Sequence, residues 1–200
     1  MTAWTDPPTL VGQHVTLRPT VLDDRDGIVT AAADGKISEL FFTNVSTLTD
    51  PDSFMAALFK ERDYGRAMPF TVCKPDGQVV GLTRYMRMNA AHRRLEIGGT
   101  FYAQSVQRSG VNTEAKLLLL KHAFEQMDCN AVQIRTDWFN KASQKAIERL
   151  GAKRDGVLRN HQLMDGRIRD LVVYSIIASE WRGVERNLRF LLARNQGTPA

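Results

Sequence analysis

The sequence predicts an α/β fold in which a mixed, mostly antiparallel sheet carries helices on both faces. Three observations predict it. Runs of alternating apolar and polar residues recur between residues 14 and 177, and helix-period runs separate them. Residues 74–78 (KPDGQ) and 164–167 (MDGR) read as hairpin turns. A strand-like run, residues 95–102, carries Gly98 and Gly99 and passes through a polar loop with Gly110 into a long apolar helix over 111–127.

In chain order, residues 1–12 are proline-rich and read as an arm. Residues 14–18 (HVTLR) alternate as a first strand that Pro19 ends. Asp23 and Asp24 favour a helix start, and Ile28, Ala31 and Ala32 give that helix a buried face up to Gly35. Asp50 and Pro51 read as N-cap and first residue of a helix carrying Phe54, Met55, Leu58 and Phe59, which Gly65 ends. Strands over 67–74 and 78–88 follow, and a strand over 94–102 extends the meander. Four consecutive leucines, residues 117–120, exceed what one helix stripe needs, so the 111–127 helix packs widely against a sheet.

Residues 131–137 (AVQIRTD) alternate as another strand. Asn140 reads as the cap of a helix whose face is Ala142, Ala146, Ile147 and Leu150, with Gly151 at its stop. Strands over 154–164 and 168–177 follow. Trp181, Val184, Leu188 and Leu191 then lie at helical spacing among arginines, which suits a docking or homodimer-contact helix.

Two hundred residues suit one domain of ordinary composition, 43% hydrophobic and 24% charged. The first residues show no basic segment followed by an apolar run, and no apolar run approaches about 18 residues. Neither a signal peptide nor a membrane span is expected, and a cytoplasmic location is. Cys73 and Cys129 fit reduced thiols, and the histidines, cysteines and acids show no metal-ligand spacing, so no metal is expected. A net charge of +5 favours anionic partners: a nucleotide, an acidic peptide or RNA.

Strand, glycine loop and helix start in that order make an anion site. The first amides of a helix lack intrahelical partners, and the dipole places partial positive charge there. Ser109, Gly110, Val111, Asn112 and Thr113 would present consecutive amides to a phosphate, and Gly110 lets the backbone approach without a Cβ in the way. The run Gln107-Arg108-Ser109-Gly110-Val111-Asn112 resembles the acetyl-CoA signature of the GNAT N-acyltransferase superfamily, Q/R-x-x-G-x-G/A. Its last position is Asn112 where that family usually has Gly or Ala, a departure that a helix N-terminus accommodates. The stretches GTFYAQSVQRSGVNTEA, TDWFNKASQKAIERLGA and MDGRIRDLVVYS bring it closest to the RimJ/RimL-type N-terminal acetyltransferases.

The resemblance covers residues 13–178, leaving 1–12 as an N-terminal arm and 179–200 as a C-terminal helix and tail. It implies the GNAT fold, whose sheet is splayed between its fourth and fifth strands. It also implies acetyl-CoA (or another acyl-CoA) as co-substrate and an amine acceptor: a protein N-terminus, a polyamine or a small amine. In this family the pantetheine arm would lie along Gly99, Thr100, Phe101 and Tyr102, and a backbone N–H of Phe101 or Tyr102 would stabilise the oxyanion. Asn140 would hold the cofactor arm and Ser143 would protonate the leaving thiolate. Read as residues alone, the pair is a helix cap, with or without cofactor contact.

An attacking ammonium must also lose a proton. Glu96 is one candidate base; a strand charge paired with Arg84 or Arg94 is its plainer reading. The subgroup's own base, a Glu before the last hairpin, falls on Gln162, which accepts no proton, and His161 beside it points to the opposite strand face. His14, His92 and His122 read as packed or solvated. Arg108 and Lys116 could meet the adenosine 3′-phosphate. The functional expectation is an acyl-CoA-dependent N-acetyltransferase with direct attack in a ternary complex. Gln162 and Asn112 keep a non-catalytic CoA-binding module open, and the basic charge keeps a ribosome- or RNA-associated protein open.

Overall fold

The computed structural model describes residues 2–43, 46–164 and 166–195, so Asp165 of the expected 164–167 turn lies outside the described residues. Helices α1 (Arg25–Asp34), α2 (Ser46–Thr49) and α3 (Pro51–Asp63) precede the meander, and α4 (Val111–Glu125), α5 (Lys141–Arg149) and α6 (Trp181–Asn195) follow it. The strands form one sheet in the spatial order β1 (Leu10–Val11), β2 (Thr16–Pro19), β3 (Met68–Cys73), β4 (Val79–Asn89), β5 (Arg94–Tyr102), β6 (Ala131–Asp137), β8 (Arg167–Ile177), β7 (Lys153–Met164). Neighbours are antiparallel except β5 and β6, which run parallel on either side of the α4 crossover.

Local chemistry places the helix starts where the sequence expects them. Asp50 Oδ1 accepts from Ser53 N at 3.1 Å with Pro51 as first helical residue, and Asn140 Oδ1 accepts from Ser143 N at 2.9 Å. Gly151, at φ +102°, takes the left-handed position after α5. Leu82 of β4 packs with Ile28, Met55 and Leu58, which puts α1 and α3 on one face. The other face belongs to α4, where Leu117, Leu119 and Leu120 are buried and Leu118 packs at the rim. All four leucines therefore find apolar cover, because α4 is packed by the sheet on one side and α6 on the other.

On α6 the buried stripe is Trp181, Val184, Leu188 and Leu192. Leu192 replaces the expected Leu191, a drift of one position that a 3.6-residue turn produces over three turns. Trp181 stacks on Phe124 at 5.4 Å and donates Nε1–H to Glu125 Oε1 at 3.1 Å. The stripe is thus covered by the same chain. The arm is likewise docked: Trp4 Nε1 donates to Met127 O at 3.0 Å, and Leu10–Val11 pairs with β2. β2 begins at Thr16 rather than residue 14 because the amides of Gln13, His14 and Val15 turn away to the carboxylate of Glu114 on α4.

Candidate active site

β5 and β6 are paired only over Arg94↔Ala131 to Glu96↔Gln133, and beyond that point the strands part. On its other side β5 stays paired with β4 up to Tyr102, but with one residue in excess: Leu82 faces Phe101 while Arg84 faces Gly98. This is a bulge. Gly99 takes it up at φ +56°, and a Cβ there would strike the Arg84 guanidinium. The bulged strand bends from β6 and leaves a cavity of about 910 Å³, a size that holds an extended ligand.

The loop into α4 forms one end. Arg108, not Gly110, adopts left-handed backbone, at φ +60°. Gly110 is right-handed at φ −68°, and a Cβ on it would stand 2.9 Å from the His14 ring. A Cβ at this position would therefore crowd His14, a packing requirement on the glycine beside the close approach expected of it. Val111 N donates to Ser109 Oγ at 3.2 Å. Among the described residues the amides of Arg108, Ser109, Gly110, Asn112 and Thr113 meet no protein acceptor, so the turn is open. Gln107, Arg108 and Asn112 reach the cavity wall. Ser109, Gly110, Val111 and Thr113 do not; Thr113 instead accepts from Arg149 Nη2 at 3.2 Å.

Gly99, Thr100, Phe101 and Tyr102 line the parted side of β5. Ala103 N donates to Val80 O at 2.9 Å, and alternation along the strand then turns the Tyr102 N–H towards the gap. The Tyr102 hydroxyl is buried without a partner among the described residues, and burial raises its pKa. Gln107 Nε2 donates to Tyr102 O at 3.3 Å, tying the loop to the strand. Lys116, expected beside Arg108, points inward: Nζ donates to Thr100 Oγ1 at 3.0 Å, and Thr100 meets Thr83 at 2.7 Å. Burial lowers its pKa to about 7. Asn140 and Ser143 also reach the wall, from the start of α5.

On the α1/α3 face, Glu96 is only 6% exposed. Its Oε2 lies 3.0 Å from Arg87 Nε and 3.1 Å from Arg135 Nε, while the expected Arg84 acts on it only through space. Neither N–H is aligned for a directed bond to that oxygen, so the contact is chiefly coulombic. Burial outweighs the guanidiniums and raises the Glu96 pKa. Gln162 reaches the cavity and accepts from Arg169 Nη1 at 3.1 Å, while His161 is exposed. His122 is packed against Tyr85, with Nδ1 3.3 Å from the phenol oxygen. Sequence reasoning missed the inward turn of Lys116, the Tyr102 phenol, and Arg135 and Arg169. For Lys116 a signal existed: it is a lone cation inside the apolar run AKLLLL.

The acetyltransferase (GNAT) domain model matches residues 14–153. The chain belongs to the GNAT acetyltransferase family. It is by that kinship an N-acetyltransferase, in a family that uses acetyl-CoA. One GNAT relative, an uncharacterized N-acetyltransferase of Bacillus licheniformis, is 25% identical over 180 residues, covering 88% of this chain and 99% of that protein. YdaF of Bacillus subtilis, provisionally named a ribosomal N-acetyltransferase, is 32% identical over 108 residues. That match spans 54% of this chain and 58% of YdaF. A solved structure from T. thermophilus, provisionally described as an acetyltransferase, is 32% identical with a TM-score of 0.81 and covers 94% of this chain and 99% of its own. Mycobacterium smegmatis RimJ, solved with CoA-disulfide, shares the GNAT fold at 23% identity and a TM-score of 0.77, over 96% of this chain and 97% of its own. These relatives agree with the RimJ/RimL-type resemblance. Among the described residues no helix is long and apolar enough to cross a membrane.

Proposed function

We propose that the protein transfers an acetyl group from acetyl-CoA to an amine that attacks directly, with both substrates held in the gap between β5 and β6. One observation carries this reading: a single cavity runs from the open amide turn beside α4 to the buried carboxylate of Glu96 on the opposite face. The residues present fit the co-substrate. The free amides of this turn, with Arg108 and Asn112 at the cavity wall, would hold a diphosphate at the positive end of the α4 dipole. Gly99, Thr100, Phe101 and Tyr102 offer an unpaired strand edge to the amides of the pantetheine arm.

When bound, acetyl-CoA supplies the activated thioester: the amine nitrogen bonds to its carbonyl carbon as the C–S bond breaks, giving an amide and CoA thiol. The Tyr102 N–H donates to the carbonyl oxygen as charge builds there. Asn140 steadies the arm, and the Ser143 hydroxyl relays to the sulfur the second proton that the nitrogen sheds as the amide forms. Glu96 takes the proton lost by the ammonium. Its raised pKa makes it the stronger base, and Arg87 and Arg135 oppose its neutralisation. Residues 13–178 form the catalytic domain in this reading, with 1–12 as its arm and α6 as a brace on α4, in a protein of the cytoplasm.

Isothermal titration with acetyl-CoA, paired with a thiol-release assay, tests the reading. Asn112→Glu sets a carboxylate on the cavity wall without disturbing His14, and weakens binding about tenfold or more. An absence of acetyl-CoA binding by the native protein removes the proposal.

A further inference from the structure

The next inference rests on acetyl transfer at this site and concerns the acceptor. Glu96 and Met86 meet around Gly98 on the α1/α3 side of the sheet, and strand alternation puts Arg84 with Leu82 and Met86 on that side. Arg87 and Arg135 reach Glu96 from the two flanking strands. Arg169, with Arg167, pairs with Asp137, which is 1% exposed and off the cavity wall. Arg84 Nε is buried without a hydrogen-bond partner among the described residues, and Arg84 acts on Glu96 and Glu61 only through space. Among the described residues, five guanidiniums here answer to two carboxylates at close range, Glu96 and Asp137, and to Glu61 only through space.

The phosphates of CoA do not account for this surplus. The open amide turn belongs to α4, and Lys116 is engaged with Thr100 on the α4 face, whereas Arg84, Arg87 and Arg135 lie on the other. A polycationic acceptor would bring its second ammonium into a partly desolvated positive field, and like charges repel strongly there. We propose that the acceptor is an anionic amine: a primary amine whose own molecule carries a carboxylate or phosphate a few bonds from the nitrogen. Its anion lies against Arg84 and Arg135 while its nitrogen faces the parted edge of β5. The anion then gives Arg84 and Arg135 an acceptor that, among the described residues, their Nε groups lack.

The test is a thiol-release assay with acetyl-CoA and matched amines: β-alanine against β-alaninamide, O-phosphoethanolamine against ethanolamine, and spermidine. The anionic member of a pair is expected to show kcat/KM about tenfold or more above its neutral partner, the worth of one charge-assisted bond, with spermidine slowest. The anion also makes the amine more basic, so the supply of free amine works against this result. Arg84→Met should collapse the anionic preference, and Arg84→Lys should restore part of it, with acetyl-CoA affinity unchanged in both. The carboxylate and phosphate pairs distinguish which anion is taken, and either supports the inference. Acetyl-CoA binding with a neutral or polycationic preference, or with no turnover across the panel, overturns this inference alone. Loss of acetyl-CoA binding itself overturns the transfer reading and this inference together.

Discussion

Replacing Glu114 with alanine tests how the N-terminal segment is held to the site. Its carboxylate accepts the amides of Gln13 at 2.9 Å, His14 at 2.6 Å and Val15 at 2.9 Å. Gln13 is exposed and recovers water, whereas Val15 is fully buried and His14 partly so. Two buried donors are then orphaned, at about 1–3 kcal/mol each, so Glu114→Ala costs about 4 kcal/mol of stability. Urea unfolding should register this as a lower midpoint at unchanged slope. Because the His14 ring packs on Gly110, the same variant should weaken acetyl-CoA binding in titration calorimetry. Glu114→Gln, which keeps one acceptor oxygen, should fall between. A stability loss below about 1 kcal/mol for Glu114→Ala would refute the reasoning, since no buried amide could then have depended on it.

Three further outcomes follow from the charges. Asp137 is 1% exposed and accepts from Arg167 at 2.6 Å, Arg169 at 2.9 Å and Phe139 N at 2.8 Å. Asp137→Ala leaves two uncompensated guanidiniums and should cost about 3–5 kcal/mol, with amide exchange accelerating first in the β7–β8 hairpin. The pKa of Lys116 is about 7 in the fold against an ordinary 10.5, so between those values the unfolded chain binds more protons. Stability therefore rises with pH across that window, and Lys116→Met should flatten the rise in denaturation midpoints measured near its two ends. Glu96 acts as base when ionised, and its raised pKa places the acid limb of the kcat profile above the ordinary carboxylate range. Glu96→Gln should abolish that limb and lower kcat about a hundredfold; an unchanged profile would assign the limb elsewhere.

Features set by neighbouring residues were legible in the sequence. Asp50 and Asn140 cap helices with amides three residues on, and the alternation of residues 131–137 marks β6 from end to end. The parting of β5 and β6 was reached through the family resemblance, because pairing between strands is invisible in either strand alone. The Gly98-Gly99 pair was visible in the strand, but only the β4 register shows that Gly99 holds the bulge. The His14 neighbour of Gly110 was hidden for the same reason: it arrives through the docking of residues 13–15 on Glu114 of α4. The partners of Glu96 escaped because Arg135 arrives sideways, from a strand whose register nothing local reveals. Lys116 was read from its charge as a contact for the adenosine 3′-phosphate, although its position on α4 places it inside.

The surplus residue at Gly99 also bears on how a ligand arrives. A slot cut by backbone connectivity stands ready before any occupant does, and closing it would mean re-registering two strands. Entry should therefore follow a single exponential whose rate climbs in proportion to acetyl-CoA concentration, free of any slow step that levels off.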